Sequence, residues 1–116
     1  MAMMSDNIFL KIVEGEIPVK LVYSDDLCLA FDDINPQAPV HVVIIPRKEI
    51  PTHDDLKPED VPILGAMHLA ANKIAAKLNL KDGYRLVINC KDHGGQTVPH
   101  LHMHLLGGRQ FEWPPG

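Results

Sequence analysis

Three histidines alternate with apolar residues in the run His100-Leu-His102-Met-His104-Leu-Leu. An imidazole can ligate a metal, hold a phosphate or attack phosphorus, and it titrates near neutral pH. In an extended chain, residues i, i+2 and i+4 share one face. The three rings then stand in a row while Leu101, Met103 and Leu105 point into a core. A helix would throw His102 to the far side. Val98-Pro99 before the run and Gly107-Gly108 after it bound a strand of ordinary length.

The loop Gly94-Gly95-Gln96-Thr97 leads directly into this run. Two glycines let the backbone turn sharply and aim N–H groups at an anion, and Thr97 adds a hydroxyl. Phosphate oxygens held there lie beside the histidines. One imidazole can then form a covalent phospho-histidine, and a second, protonated, can offset oxygen charge or protonate the leaving group. No Walker motif is present, so this is not a P-loop NTPase. Histidines and amides can supply the electrostatics that magnesium supplies elsewhere.

Metal binding competes with that reading. Two histidines at i and i+2 can grip zinc, with His93 or His41 completing the shell. Cys2His2 and HExxH spacings are absent, and steps of ~6.5 Å spread three rings too far for one ion. A half-exposed strand that is merely rich in histidine is the third reading. Taken alone, Asp32-Asp33 reads as a turn pair before a ribose-binding site. His41 reads as a satisfied strand histidine. Asn89 either donates to phosphate or closes a turn. Ile8, Phe9, Ile12 and Phe31 line a base slot or belong to an ordinary core. His53 and His68 receive no role. Trp113, on an irregular tail before Pro114-Pro115, is expected to dock on this chain or on a neighbour.

The elements that must position these residues follow from the pattern. Asp6 is expected to cap a short helix over residues 7–14, ended by Gly15. Residues 20–24, 28–32 and 40–45 read as strands, the last stopped by Pro46. Ile63, Met67, Ala70, Ile74 and Leu78 recur at helical intervals, which predicts a long helix within 58–78. Residues 84–89 form a fourth strand and the histidine run a fifth. The class is α+β, with an antiparallel sheet of about five strands. One sheet face takes the long helix; the other carries the histidines and needs solvent or a partner.

The 116 residues suit one domain spanning 1–116. A formal charge of −4 without a Lys/Arg cluster argues against nucleic acid as a partner. No signal peptide is visible, and the apolar run Val42-Val43-Ile44-Ile45 is too short for a membrane span. Cys28 and Cys90 lack CxxC spacing and read as reduced thiols of a cytoplasmic protein.

The histidine run, read with its surroundings, resembles the histidine triad (HIT) superfamily. Asp6-Asn7-Ile8-Phe9, Phe31-Asp32-Asp33-Ile34, Pro36-Gln37-Ala38-Pro39, His41, Gly94-Gly95-Gln96-Thr97, Gly107-Gly108-Arg109-Gln110 and Trp113-Pro114-Pro115-Gly116 are similar to the Hint branch, the purine nucleoside phosphoramidases. The resemblance implies a HIT-like fold with one sheet continued across a homodimer. It implies a purine nucleotide of AMP or GMP type as partner, with no cofactor and no metal. It further implies that His102 is the nucleophile, oriented by the main-chain carbonyl of His100. His104 would contact the α-phosphate and His41 support the proton network. Asp33, beside Ile34, would hold the ribose. Asn89, Gly95, Gln96 and Thr97 would serve the phosphate and leaving-group side. Ile8, Phe9, Ile12, Phe31 and Val43 would line the base slot, with Trp113 reaching the neighbouring subunit's site. Thr97 stands where many relatives carry serine. The implied reaction is hydrolysis of a nucleoside 5′-phosphoramidate. Dinucleoside polyphosphate hydrolysis, or a nucleotide-binding module with little turnover, are the alternatives.

Overall fold

A computed structural model describes residues 6–116. Helix α1 is Ile8–Val13, and its cap is Asn7, whose Oδ1 accepts from the Leu10 amide at 2.9 Å. Asp6, expected to cap, stands one residue too early and pairs instead with Lys11 at 3.1 Å. Gly15, at φ 79°, ends the helix. The amides of Gly15 and Glu16 bond back to the carbonyls of Ile12 and Lys11, a Schellman closure.

Strands β1 (Leu21–Ser24), β2 (Cys28–Asp32) and β3 (Val40–Pro46) run on in sequence. Two 3-10 turns, His53–Asp55 and Pro58–Asp60, precede helix α2 (Val61–Lys77), and β4 (Tyr84–Val87) and β5 (Met103–Gly107) complete the chain's elements. Proline at 58 and 62 delays α2 to Val61. The order in the sheet is β1-β2-β3-β5-β4, with every pair antiparallel. The last strand therefore inserts between β3 and β4. That insertion sets His104 opposite Val43.

The histidine run is not one strand, because the ladder starts only at Met103. β3 pairs Ile44 with Met103 and Val42 with Leu105. Carried further, this register would set Leu101 against Pro46, which has no N–H to donate. The Pro46 carbonyl lies 2.9 Å from His100 Nε2 instead, and the Leu101 amide donates to the Ile50 carbonyl at 2.6 Å. Alternation survives the lost ladder: Leu101, Met103 and Leu105 are all buried.

The same alternation divides the interior in two. Cys28, Ala30, Val42 and Ile44 pack with Met67, Ala70 and Ile74 of α2 on one face. Leu29, Phe31, Val43 and Ile45 pack with Phe9 on the other. The second face is thus not left bare for solvent or a partner; α1 covers part of it. Cys28 and Cys90 are free thiols. Among the described residues, no helix is long and apolar enough to cross a membrane. Leu105→Ala removes a fully buried side chain from the helix-facing core and is expected to cost about 3 kcal/mol. Urea unfolding should show the lower midpoint with an unchanged slope.

Candidate active site

His102 Nδ1 lies 2.6 Å from the main-chain carbonyl oxygen of His100. A carbonyl only accepts, so Nδ1 holds the ring proton and Nε2 keeps its lone pair. Phe9 meets the ring edge-on, with centroids 5.0 Å apart. His102 is nearly fully buried, and burial lowers its pKa despite the opposing effect of the hydrogen bond to His100. The ring is neutral at pH 7 with an available nitrogen.

His104 is set the other way. The Gln37 amide donates to His41 Nδ1 at 3.0 Å, so the proton of neutral His41 is on Nε2. That nitrogen is 2.9 Å from His104 Nδ1 and 3.4 Å from Asp33 Oδ2. His104 Nδ1 therefore accepts, and the proton of His104 sits on Nε2. Burial first, then the neighbouring His102 and His41, push the His104 pKa from its ordinary 6.5 to about 4. The rings of His102 and His104 lie 5.0 Å apart at 74°. One presents a lone pair, and its neighbour an N–H.

His100 is fully buried and does not face the others as a third equivalent ring. Its Nε2 donates to the Pro46 carbonyl, and its Nδ1 lies 3.1 Å from Asn7 Nδ2. Its contribution to the constellation is its carbonyl.

Asp33 reaches the site from the end of β2, where Oδ1 accepts from the Asn35 amide at 2.8 Å and the Asp33 amide donates to the His41 carbonyl at 2.9 Å. Ile34 is fully exposed beside it. Phe9, Phe31 and Val43 are buried in the second cluster, with Ile8 and Ile12 packed against them. Phe9 and Phe31 form an edge contact at 5.6 Å. These residues share one wall next to His102, which spacing alone left undecided between slot and core.

The loop before the histidines differs from expectation. The amides of Gly95 and Gln96 donate inward, to the carbonyls of Asp92 and Lys91, both at 3.0 Å. Gly95, at φ 79°, makes this a second Schellman turn rather than an open cradle of N–H groups. Gly94 is needed for space, because a Cβ there would stand 2.4 Å from the Cys90 carbonyl oxygen. The Gln96 side chain is buried. It accepts from the Lys91 amide at 2.9 Å and donates to the carbonyls of Pro51 at 2.7 Å and Val98 at 2.9 Å. Gln96 is thus a staple of the loop, its side-chain hydrogen bonds all made within the protein. Asn89 donates to the Gly94 carbonyl at 2.6 Å, which closes the same turn. Thr97 is half-buried at the entry to the histidine segment.

Other candidates stand apart. His93 is exposed in the turn, and His53 and His68 lie at the surface. Among the described residues, the donor atoms that converge are those of Asp33, His41 and His104, all within 4.8 Å of one another. The metal set suggested by spacing, two triad histidines with His93 or His41, does not form. Trp113 is 82% exposed and so does not dock on its own chain. Asn7, which sequence reasoning passed over, touches both α1 and His100; its amide type one residue before the helix was the available signal.

The family model described as HIT domain matches residues 14–111. An "uncharacterized HIT-like protein" of Synechocystis sp. is 56% identical over 114 residues, covering 98% of this chain and 100% of that protein. A HIT family hydrolase from Legionella pneumophila superimposes with a TM-score of 0.92 at 49% identity, over 96% of this chain and 100% of that one. A histidine triad nucleotide-binding protein from Candida albicans gives a TM-score of 0.80 at 29% identity, over 96% and 85%.

A histidine whose folded pKa is depressed binds no proton where its unfolded form does. Between pH 6.5 and about 4 the unfolded chain therefore takes up more protons at His104, and stability is lost as pH falls through that window. The expected loss is on the order of 2 kcal/mol. Urea titrations at stepped pH should show it, and His104→Gln should reduce it, leaving the part that His100 and His102 contribute.

Proposed function

This chain belongs to the HIT family, and on that footing we propose that it hydrolyses purine nucleoside 5′-phosphoramidates to the nucleoside monophosphate and an amine. The observation that carries the reading is the opposed protonation of two adjacent rings. His102 offers an Nε2 lone pair while its Nδ1–H is held by the His100 carbonyl at 2.6 Å. His104 offers Nε2–H while its Nδ1 accepts from His41 at 2.9 Å.

In the first step His102 Nε2 bonds to the α-phosphorus and the P–N bond breaks. The departing nitrogen takes a proton from solvent and leaves as the amine, while His104 Nε2–H donates a hydrogen bond to a non-bridging oxygen on the α-phosphorus. In the second step water bonds to phosphorus, the His102–phosphorus bond breaks so that His102 regains its Nε2 lone pair, and the proton from water is released to solvent, balancing the one taken up in the first step. Asp33 takes the ribose hydroxyls at the rim. Phe9, Phe31 and Val43, with Ile8 and Ile12, back the purine. The Candida albicans relative is named for nucleotide binding and the Legionella pneumophila relative as a hydrolase. Both names agree with this reading, and the narrower choice of a phosphoramidate rests on the sequence motifs. The test is intact-mass analysis after rapid quench with adenosine 5′-phosphoramidate. Wild type should carry a nucleotidyl adduct that is absent in His102→Ala, with turnover reduced at least ~10³-fold. Normal turnover in that variant ends the assignment. Affinity for AMP without any turnover in wild type would point to a binding module.

The same reading includes a homodimer. β4 is an edge strand, with Tyr84 and Leu86 exposed on it. Leu86 pairs with Leu105 and so lies on the helix-bearing face, where Leu69 of α2 is 62% exposed. Such apolar surface on a small chain favours a partner. Trp113, exposed on the tail, is assigned to the partner's site. Light scattering should give twice the monomer mass, reduced to one by Leu69→Glu. Trp113→Ala should change kcat/KM more for bulky amine leaving groups than for ammonia.

A further inference from the structure

Asn7 makes three side-chain hydrogen bonds, and two of them tie different parts of the molecule together. Its Oδ1 caps α1 by accepting from the Leu10 amide at 2.9 Å. That bond fixes which end of the amide faces the other way, so Nδ2 is the atom 3.1 Å from His100 Nδ1. His100 must give its Nε2 proton to the Pro46 carbonyl at 2.9 Å, which leaves Nδ1 as an acceptor. Donor therefore meets acceptor at both ends of the His100 ring. A proton on His100 Nδ1 would set N–H against N–H.

The consequence reaches the neighbouring residue. The carbonyl of this same His100 holds the His102 ring by the 2.6 Å bond. Phe9, two residues beyond Asn7, packs edge-on against both rings, at 6.5 Å for His100 and 5.0 Å for His102. Asn7 thus anchors α1, the wall of the apolar face, to the backbone that orients His102.

We propose that Asn7 is a positioning residue for His102, acting through His100, which it holds neutral and in one orientation. The proposal rests on the reading of His102 as the nucleophile. Around the His100 ring stand the Pro46 carbonyl, the Phe9 edge and Glu49, which also accepts from Asn7 Nδ2 at 3.3 Å. Glu49 is the nearby charge and favours a protonated His100, against burial, which is the larger effect and disfavours it. The Asn7 amide adds to the neutral side, because its donor needs a lone pair on Nδ1.

Two substitutions separate this role from capping, since Ser and Asp both cap helices well. Asn7→Ser keeps an acceptor for the Leu10 amide and loses the donor to His100. Asn7→Asp keeps the acceptor and reverses the second bond, since a carboxylate asks His100 Nδ1 for a proton. Long-range 1H–15N spectra across pH 4–8 read the His100 ring directly, and fluorogenic phosphoramidate kinetics read kcat and KM. In Asn7→Asp, the His100 titration midpoint should rise by at least one pH unit and kcat fall about tenfold, with KM within twofold. In Asn7→Ser, kcat should fall severalfold while thermal unfolding stays within a few degrees of wild type. Should Asn7→Asp leave His100 neutral, or should both variants keep wild-type kcat, the proposal is overturned. If wild type itself turns nothing over, the function reading fails separately. The His100 titration and the His102 Nδ1–H signal then still decide what Asn7 does.

Discussion

The bond from His102 Nδ1–H to the His100 carbonyl, 2.6 Å long, sets the chemistry of the whole site. It converts an ordinary imidazole, whose proton can sit on either nitrogen, into one with a fixed lone pair on Nε2. The carbonyl is free to take this proton because its own segment has left the sheet. The β3–β5 ladder stops at Ile44 and Met103, the Leu101 amide is retied to the Ile50 carbonyl, and the His100 ring donates to the Pro46 carbonyl. Loss of two ladder positions is thus what makes a ring-orienting acceptor available.

A second chain of hydrogen bonds gives the neighbouring ring the opposite state. It begins at a backbone amide, Gln37, passes through His41 and ends at His104. Because a backbone N–H cannot exchange roles, every later bond in the relay has a defined direction. Both rings are held neutral mainly by burial. The insertion of β5 between β3 and β4 makes the meeting possible, since His41 and His104 are 63 residues apart in sequence.

Much of this was legible in the residues. Alternation of histidine with Leu101, Met103 and Leu105 placed the rings opposite a core, and the five strands and two helices fell near their expected places. Spacing could not single out His41, whose partner His104 lies 63 residues along the chain. Other features escaped for physical reasons. The strand's late start depends on Pro46, which becomes its neighbour only through the sheet order. Gly94-Gly95 looked like an anion cradle, yet the same glycines permit a Schellman turn that consumes the amides internally. Gln96 looked like a ligand contact, and its burial is decided by the Pro51 carbonyl, 45 residues away. Asp6 and Asn7 are both good caps, and only the helix start at Ile8 chooses between them.

Two adjacent imidazoles in opposite tautomers carry the chemistry of the site. The most direct measurement is the 15N chemical shift of all four nitrogens of His102 and His104 in the free protein at pH 7. The expected result is a protonated Nδ1 with a bare Nε2 on His102, and a bare Nδ1 with a protonated Nε2 on His104. The same tautomer on both rings, or rapid averaging between tautomers on His102, would contradict it.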